Sequence, residues 1–110
     1  MSKVYIVNDS GLDFTHAEKF GELIIMTKDL VKRFDITSMI RIFNTAFKDA
    51  SKEDYILQSG PTVMNMIACA LFAHKFGRLN ILLWKADNSG GEEYYISRKI
   101  VFKKGKANVV

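Results

Sequence analysis

The sequence has 110 residues, of which 48% are hydrophobic and 25% are charged, with one cysteine and one proline. This length predicts one compact domain, because domains commonly run to about 100–200 residues. A single cysteine excludes an internal disulfide and a four-cysteine zinc site. The sequence contains no apolar run of the about 18 residues that a transmembrane helix needs. Because the first residues also lack the apolar stretch of a secretory signal, we expect a cytoplasmic protein without membrane contacts.

The positive charge is concentrated near the C-terminus. The chain carries 16 Lys and Arg against 12 Asp and Glu. No acid follows Glu93, whereas five bases do: Arg98, Lys99, Lys103, Lys104 and Lys106. Residues 1–93 therefore carry 11 bases and 12 acids, which argues against a uniformly cationic surface for nucleic acid. We expect one α/β domain over 1–103 and a flexible basic tail over 104–110.

Short apolar runs alternate with helical patterns along the chain. In order, they predict a strand at 4–7, a short helix at 14–20, a strand at 23–26, a helix from Asp35 to near Ser51, a strand at 54–58, a helix at 62–76, a strand at 81–84, a hairpin loop at 86–92 and a strand at 94–103. The helix that Asp35 caps has an apolar stripe at spacings of three and four residues. The helix at 62–76 is apolar nearly all round, which predicts that other elements or a partner chain enclose it.

Apolar strands separated by helices are typical of a mostly parallel sheet that is covered on both faces. Sequential strands are usually neighbours, and crossovers between parallel strands are right-handed. We therefore expect an α/β fold, a single-domain Rossmann-like three-layer sandwich of about five strands in the order 2-1-3-4-5. The fifth strand alternates apolar residues with Ser97, Lys99 and Lys103, as expected for an antiparallel strand at the sheet edge.

Two small polar loops follow the first and third predicted strands. Open α/β sheets bind ligands beyond the carboxyl ends of the strands, at the point where the strand order reverses. The expected order places that point between these two loops. The candidate ligand-binding residues are Asn8, Asp9, Ser10, Gly11, Ser59, Gly60 and Thr62. Free amides at a helix start bind anions, so the pattern predicts a site for a small anion or nucleotide. The alternative interpretation is that these residues only form turns.

The run Ser59-Gly60-Pro61-Thr62, the apolar helix after it and the strand at 81–84 resemble part of a known family. That family is the nucleotide-sensing half of the CRISPR-associated Rossmann-fold domains, and the resemblance covers about thirty residues. It implies that Ser59, Gly60 and Thr62 contact a cyclic oligonucleotide at a dimer interface. The chain also resembles small α/β proteins of phages and prophages, which implies a location in the host cytoplasm.

Other residues with chemical potential have simpler interpretations. His16 and His74 have no second ligand at metal spacing, so no metal and no cofactor are predicted. Cys69 lies between two alanines and is expected to be a buried apolar side chain. Trp84, at the end of the fourth predicted strand, is expected to be buried rather than stacked on a nucleobase. No base is predicted beside Ser59, and no catalytic residue is assigned.

The sequence therefore predicts a non-enzymatic binding or interaction protein. We expect a homodimer, because 110 residues offer little structure to cover the apolar helix at 62–76. Two alternatives stay open. One is a small hydrolase or transferase that acts on a nucleotide, which would need a general base near Ser59. The other is a nucleic-acid-associated protein that uses the basic C-terminal end.

Overall fold

The computed structural model describes residues 2–28, 32, 34–86 and 94–110. The strands are β1 (Lys3–Ile6), β2 (Glu22–Ile25), β3 (Tyr55–Leu57), β4 (Arg78–Lys85), β5 (Tyr94–Lys103) and β6 (Lys106–Val109). The helices are α1 (Ile36–Ala46) and α2 (Thr62–Phe76), with two 3-10 helices, η1 (Thr15–Phe20) and η2 (Phe47–Asp49). Apart from Ala86, the hairpin loop predicted at 86–92 lies outside the described residues.

All six strands belong to one mixed sheet with the order β2-β1-β3-β4-β5-β6. The strands β2, β1, β3 and β4 run parallel to one another, whereas β5 is antiparallel to β4 and β6 is antiparallel to β5. The α/β class is confirmed. The predicted order of five strands needs correction, because a sixth strand lies beyond β5 and is itself the antiparallel edge.

The segment predicted as a flexible tail, 104–110, contains this sixth strand. A two-residue turn joins β5 to β6, and both of its residues have positive φ angles, 49° at Lys104 and 75° at Gly105. Two positive φ angles in succession give the turn a twist that matches two paired antiparallel strands. The sequence pattern missed the hairpin because lysine is an unusual residue at such a position and every residue of β6 is exposed.

The two α-helices pack on one face of the sheet. Asp35 caps α1, since its carboxylate accepts a hydrogen bond from the Ser38 amide at 3.1 Å. The core on this side contains residues of β1, β3 and both helices: Tyr5, Val7, Met39, Phe43, Phe47, Ile56, Met64, Ala68 and Phe72. The predicted amphipathic helix after Asp35 is therefore confirmed, with Met39 and Phe43 of its apolar stripe buried in this core.

The opposite face has thinner cover. Phe14 and Ala17, in and beside η1, pack on a second core of five sheet residues: Val4, Ile6, Leu57, Leu82 and Tyr95. Over the described residues, this face carries the six-residue 3-10 helix η1 in place of an α-helix. The Rossmann-like three-layer sandwich expected from the sequence is therefore not confirmed. No helix in the described part of the chain is long and apolar enough to cross a membrane.

Candidate functional site

The structure brings the two predicted loops together at the carboxyl ends of β1 and β3. These strands pair in parallel, with Ile6 opposite Leu57, so the chain leaves both at the same edge of the sheet. The hydroxyl oxygens of Ser10 and Ser59 lie 2.7 Å apart and share a hydrogen bond. The juxtaposition that the predicted site required is thus present.

The space between these loops holds side chains of the protein itself. Asn8 is buried, and its Nδ2 donates a hydrogen bond to Thr27 Oγ1 at 2.8 Å. Gly60 packs against Asn8 so closely that a Cβ at Gly60 would lie 2.6 Å from the Asn8 Cβ and Oδ1 atoms. Gly60 therefore provides room for Asn8, where the sequence pattern predicted room for a phosphate.

Asn65 organises the turn that precedes α2, and the sequence pattern did not single it out. Its Oδ1 accepts a hydrogen bond from the Ser59 amide at 3.0 Å, and its Nδ2 donates to the carbonyl oxygens of Ser59 at 3.0 Å and Pro61 at 2.8 Å. One of the backbone amides near the proposed anion site is therefore already used. The feature of the sequence that could have identified Asn65 is its position as an amide side chain within an otherwise apolar helical stretch.

The remaining predicted residues occupy different surroundings. Asp9 is exposed, and its Oδ1 accepts a hydrogen bond from the Gly11 amide at 3.0 Å, a local contact that forms the turn. Thr62 is exposed at the start of α2 and lines a cavity described below. Six of the seven residues thus lie in two turns that the Ser10–Ser59 hydrogen bond links, and Thr62 is the first residue of α2.

A cavity of about 350 Å³ lies one strand further along the same sheet edge, on the face that η1 covers. We call it the aromatic cavity. Its lining comes from the loop after β1 and from the ends of β3, β4 and β5: Leu12, Asp13, Phe14, Gln58, Leu82, Leu83, Trp84 and Tyr95. It lies at the carboxyl edge where parallel sheets bind ligands, although between β3 and β4 rather than between β1 and β3.

Trp84 is 44% exposed at this cavity, so the prediction that it is buried is wrong. Its ring centroid lies 4.8 Å from that of Tyr95, with 65° between the ring planes, and 5.8 Å from that of His16. Tyr95, directly opposite on β5, is the buried ring of the pair. Trp84 packs on the outer side of Tyr95 and keeps almost half of its surface in water, an arrangement that depends on strand register.

The polar groups of the aromatic cavity differ in charge. Hydrogen bonds from Thr15, chiefly from its amide, lower the pKa of the Asp13 carboxyl, so Asp13 is ionised at neutral pH. Burial raises the pKa of the Tyr95 hydroxyl, and the charge of Asp13 raises it further, so Tyr95 is neutral. Gln58 adds an amide that both donates and accepts. The cavity combines an aromatic wall with an anionic acceptor and neutral hydrogen-bonding groups.

A second cavity, of about 300 Å³, lies between α2 and β4 on the other face of the sheet, and we call it the apolar cavity. Its lining is mostly aliphatic: Ile56, Gln58, Thr62, Asn65, Met66, Cys69, Leu79, Ile81, Leu82 and Leu83. Burial raises the pKa of the Cys69 thiol, which keeps it protonated. Cys69 is only partly buried in this wall, where the sequence pattern predicted a buried side chain.

The described part of the chain offers few side chains that could bind a metal ion or act as a nucleophile. None of its groups of three or more His, Cys, Asp and Glu could hold a metal ion. His16 contacts the Trp84 ring, and His74 is exposed in the last turn of α2. The Ser59 hydroxyl is paired with another hydroxyl, that of Ser10, which is a poor base for activating it.

Comparison with known proteins identifies a phage family. Residues 2–98 match the family model described as Phage Pam3 gp32-like protein. No curated protein and no solved structure matches the chain at a significant level. The match agrees with the phage resemblance drawn from the sequence, whereas the likeness to CRISPR-associated sensors is not shown. Because the match covers most of its length, the chain belongs to the Phage Pam3 gp32-like protein family.

Proposed function

We propose that this phage-family protein is a non-enzymatic binding protein whose ligand is a nucleoside or nucleotide, with the base in the aromatic cavity. The observation that carries the proposal is the half-exposed ring of Trp84 at the ligand-binding edge of the sheet. A planar base that stacks on this ring would remove apolar surface from water. Stacking of a base on an aromatic side chain contributes about 1–3 kcal/mol.

The other lining groups support a nucleobase over a purely apolar ligand. The Gln58 amide can pair with the donor and acceptor groups on a base edge, and the Asp13 carboxylate can accept from an amino group or a ribose hydroxyl. The volume of about 350 Å³ falls within the about 300–1,000 Å³ that is usual for small-molecule sites. The ligand class predicted from the sequence is kept, and the base is assigned to the cavity between β3 and β4.

A phosphate group belongs on the side away from Asp13, because the ionised carboxylate would repel it. Gln58 lines both cavities, and Thr62, at the start of α2, lines the apolar cavity. The first turn of α2 has no side-chain cap, and the helix dipole favours an anion there. A nucleotide would therefore direct its phosphate towards Thr62, and a nucleoside would bind without that contact.

A second candidate, a single-stranded nucleic acid, is favoured by the register of β5 and β6. The pairing places Tyr95, Lys99, Lys103 and Lys106 on the same face of the sheet as Trp84. An aromatic platform that continues into a row of cations is the arrangement by which proteins hold bases and backbone of single strands. The basic residues noted at the C-terminal end thus extend from the proposed base site.

Fluorescence of Trp84, the single tryptophan, tests the proposal directly. Titration with adenosine and AMP is expected to quench it in a saturable way, whereas inorganic phosphate alone leaves it unchanged. Trp84→Ala is expected to weaken adenosine binding, measured by calorimetry, by about 1–3 kcal/mol. Met66→Ala, in the apolar cavity, is the control and should bind normally. If neither ligand quenches the fluorescence up to about 5 mM, the binding free energy is weaker than about −3 kcal/mol and the proposal is contradicted.

A deoxythymidine decamer distinguishes the second candidate. If it binds more tightly than the nucleotide and its affinity falls steeply with salt, then the lysines contact phosphates. The variant Lys103→Glu/Lys106→Glu should then lose decamer binding and keep adenosine binding. Equal effects of this variant on both ligands would contradict a role of the lysine row in contacting a strand.

A further inference from the structure

The outward side of α2 is unusually apolar for a helix that covers a sheet. Thr62, Met66 and Ala70 follow one another at intervals of four residues and are all exposed, and Thr62 and Met66 also line the apolar cavity. Met66 is 65% exposed, although it is one of the larger apolar side chains of the helix. Helices on a protein surface ordinarily place charged residues on this side, and a helix that is apolar all round is ordinarily buried.

The same side of the molecule carries a second apolar surface, on the outer half of the sheet. The register places Leu83 opposite Ile96, Leu79 opposite Ile100, Ile100 opposite Val109 and Phe102 opposite Ala107, all on the face that carries α2. Over β6 this face is open, because Phe102 is 41% exposed and Val109 is 69% exposed. We call the face of β5 and β6 formed by Ile96, Ile100, Phe102, Ala107 and Val109 the open sheet face.

We propose that these two surfaces cover each other in a homodimer, with α2 of each copy lying on the open sheet face of the other. Each copy presents both a helix and the sheet surface that receives it, which is the condition for a closed two-fold interface. α2 would then lie between two sheets, and its apolar character on all sides would have a structural cause. This inference does not depend on the proposed base site, which lies on the other face of the sheet, and it shares with the proposed function only Thr62 at the start of α2.

The exposed surface of the chain is large enough for an interface with a second copy. The chain exposes 7174 Å². A compact monomer of its mass, 12.5 kDa, would expose about 6,200 Å². The difference, about 1,000 Å², is similar to the about 800 Å² that each partner buries in a standard stable interface.

Charge selects this arrangement over pairing through the sheet edges. Lys106 places a positive charge on the short edge strand β6, beside Lys103 of β5, and lysines at a sheet edge discourage pairing between two edges. Both lysines lie on the opposite face of the sheet from α2, where a helix-to-face contact leaves them in water. Arg98 lies within the open sheet face, between Ile96 and Ile100, and its guanidinium donates to the Ser97 carbonyl at 2.8 Å.

Light scattering of the full chain after size exclusion tests the dimer. The expected mass is about 25 kDa, twice that of one chain. Ala70→Glu and Phe102→Glu each place a charge in one half of the interface, and each is expected to raise the dimer Kd by about 30-fold or more. Ile25→Glu is the matched control, since Ile25 is 39% exposed at the opposite edge of the sheet, on β2. Circular dichroism melting of each variant establishes that it is folded.

Dissociation by both Ala70→Glu and Phe102→Glu, with Ile25→Glu still dimeric, supports the proposal. If the wild type stays monomeric at every concentration up to about 1 mM, the dimer Kd exceeds about 1 mM, which corresponds to about −4 kcal/mol, and the proposal is overturned. A dimer that survives both variants also overturns it, because the interface would then lie elsewhere.

Discussion

Gly60 shows how one residue limits the chemistry of a loop. Its φ of +82° lies in the left-handed region, and the space where a Cβ would be placed already holds Asn8. These are separate requirements, one on the backbone and one on packing. Because Asn8 is buried and hydrogen-bonded to Thr27, it has little freedom to move away. The glycine is therefore explained by the fold alone, without a ligand.

Comparison of two glycine variants separates the two requirements. Gly77 has a φ of +67°, and nothing lies within 4 Å of the position that a Cβ would occupy there, so Gly77→Ala should cost about 1–2 kcal/mol from backbone strain. Gly60→Ala adds the contact with Asn8, and we expect a total loss of about 3 kcal/mol or more. Urea denaturation gives both free energies of unfolding. Equal losses for the two variants would show that Asn8 moves aside without cost.

The candidate site could be predicted from the sequence in its position but not in its shape. The rule for ligand sites in parallel sheets led to the correct edge, and the Ser10–Ser59 contact follows from the pairing of β1 with β3. The filling of that space by Asn8 depends on side-chain packing between distant segments, which no local pattern encodes. The exposure of Trp84 likewise depends on its pairing with Tyr95 across two strands.

At the scale of elements, strands with buried or partly buried residues were predictable and the fully exposed strand was not. The apolar runs of β1 to β4 stand out because both faces of the inner strands are covered. β6 has no buried residue and is held by pairing with β5, including a hydrogen bond from the Val110 amide to the Lys99 carbonyl at 2.9 Å. A strand stabilised by backbone pairing alone leaves no hydrophobic signal in the sequence.

The turn between β5 and β6 provides a test of this explanation. Lys104 adopts a φ of 49°, which costs little for asparagine and more for other residues with a Cβ. Lys104→Asn creates the Asn-Gly pair that two-residue hairpins favour, and should stabilise the protein by about 0.5–1 kcal/mol. Lys103→Asn removes the same charge at a strand position and should not stabilise it. Urea denaturation at one fixed protein concentration measures both, and equal effects would mean that charge, not turn geometry, is responsible.

In the molecule as a whole, two α-helices cover one face of the sheet and the short helix η1 covers the other, and the length of chain between strands explains the difference. β1 ends at Ile6 and β2 begins at Glu22, so the crossover that joins them is close to the about twelve residues that a parallel connection requires. It has room for the six residues of η1 and no long helix. The sequence pattern showed a helical segment there, but the number of layers follows from its length and packing.

Tyr5 is a residue of β1 in the core under α1 and α2, and it makes the stability of the whole molecule sensitive to alkali. It is buried on β1, with its ring 5.2 Å from that of Phe47 in an edge-to-face contact. Burial, with a smaller effect from the charge of Asp54, raises the pKa of Tyr5 from 10.0 to about 12. The folded protein therefore holds this proton more tightly than the unfolded chain does.

The sign of the pH effect follows from linkage. Below pH 10 the Tyr5 hydroxyl is protonated in both states, and its contribution to stability is fully present. As the pH rises from about 10 towards 12, the unfolded chain loses the proton first, so the free energy of unfolding falls. Tyr5→Phe keeps the ring and removes the proton, so its stability should fall less steeply over this interval in urea denaturation at several pH values. Tyr95, whose pKa is also raised by burial, is present in both proteins and cancels in the comparison. Parallel pH profiles for wild type and Tyr5→Phe would show that the Tyr5 hydroxyl ionises as readily in the folded protein as in the unfolded chain.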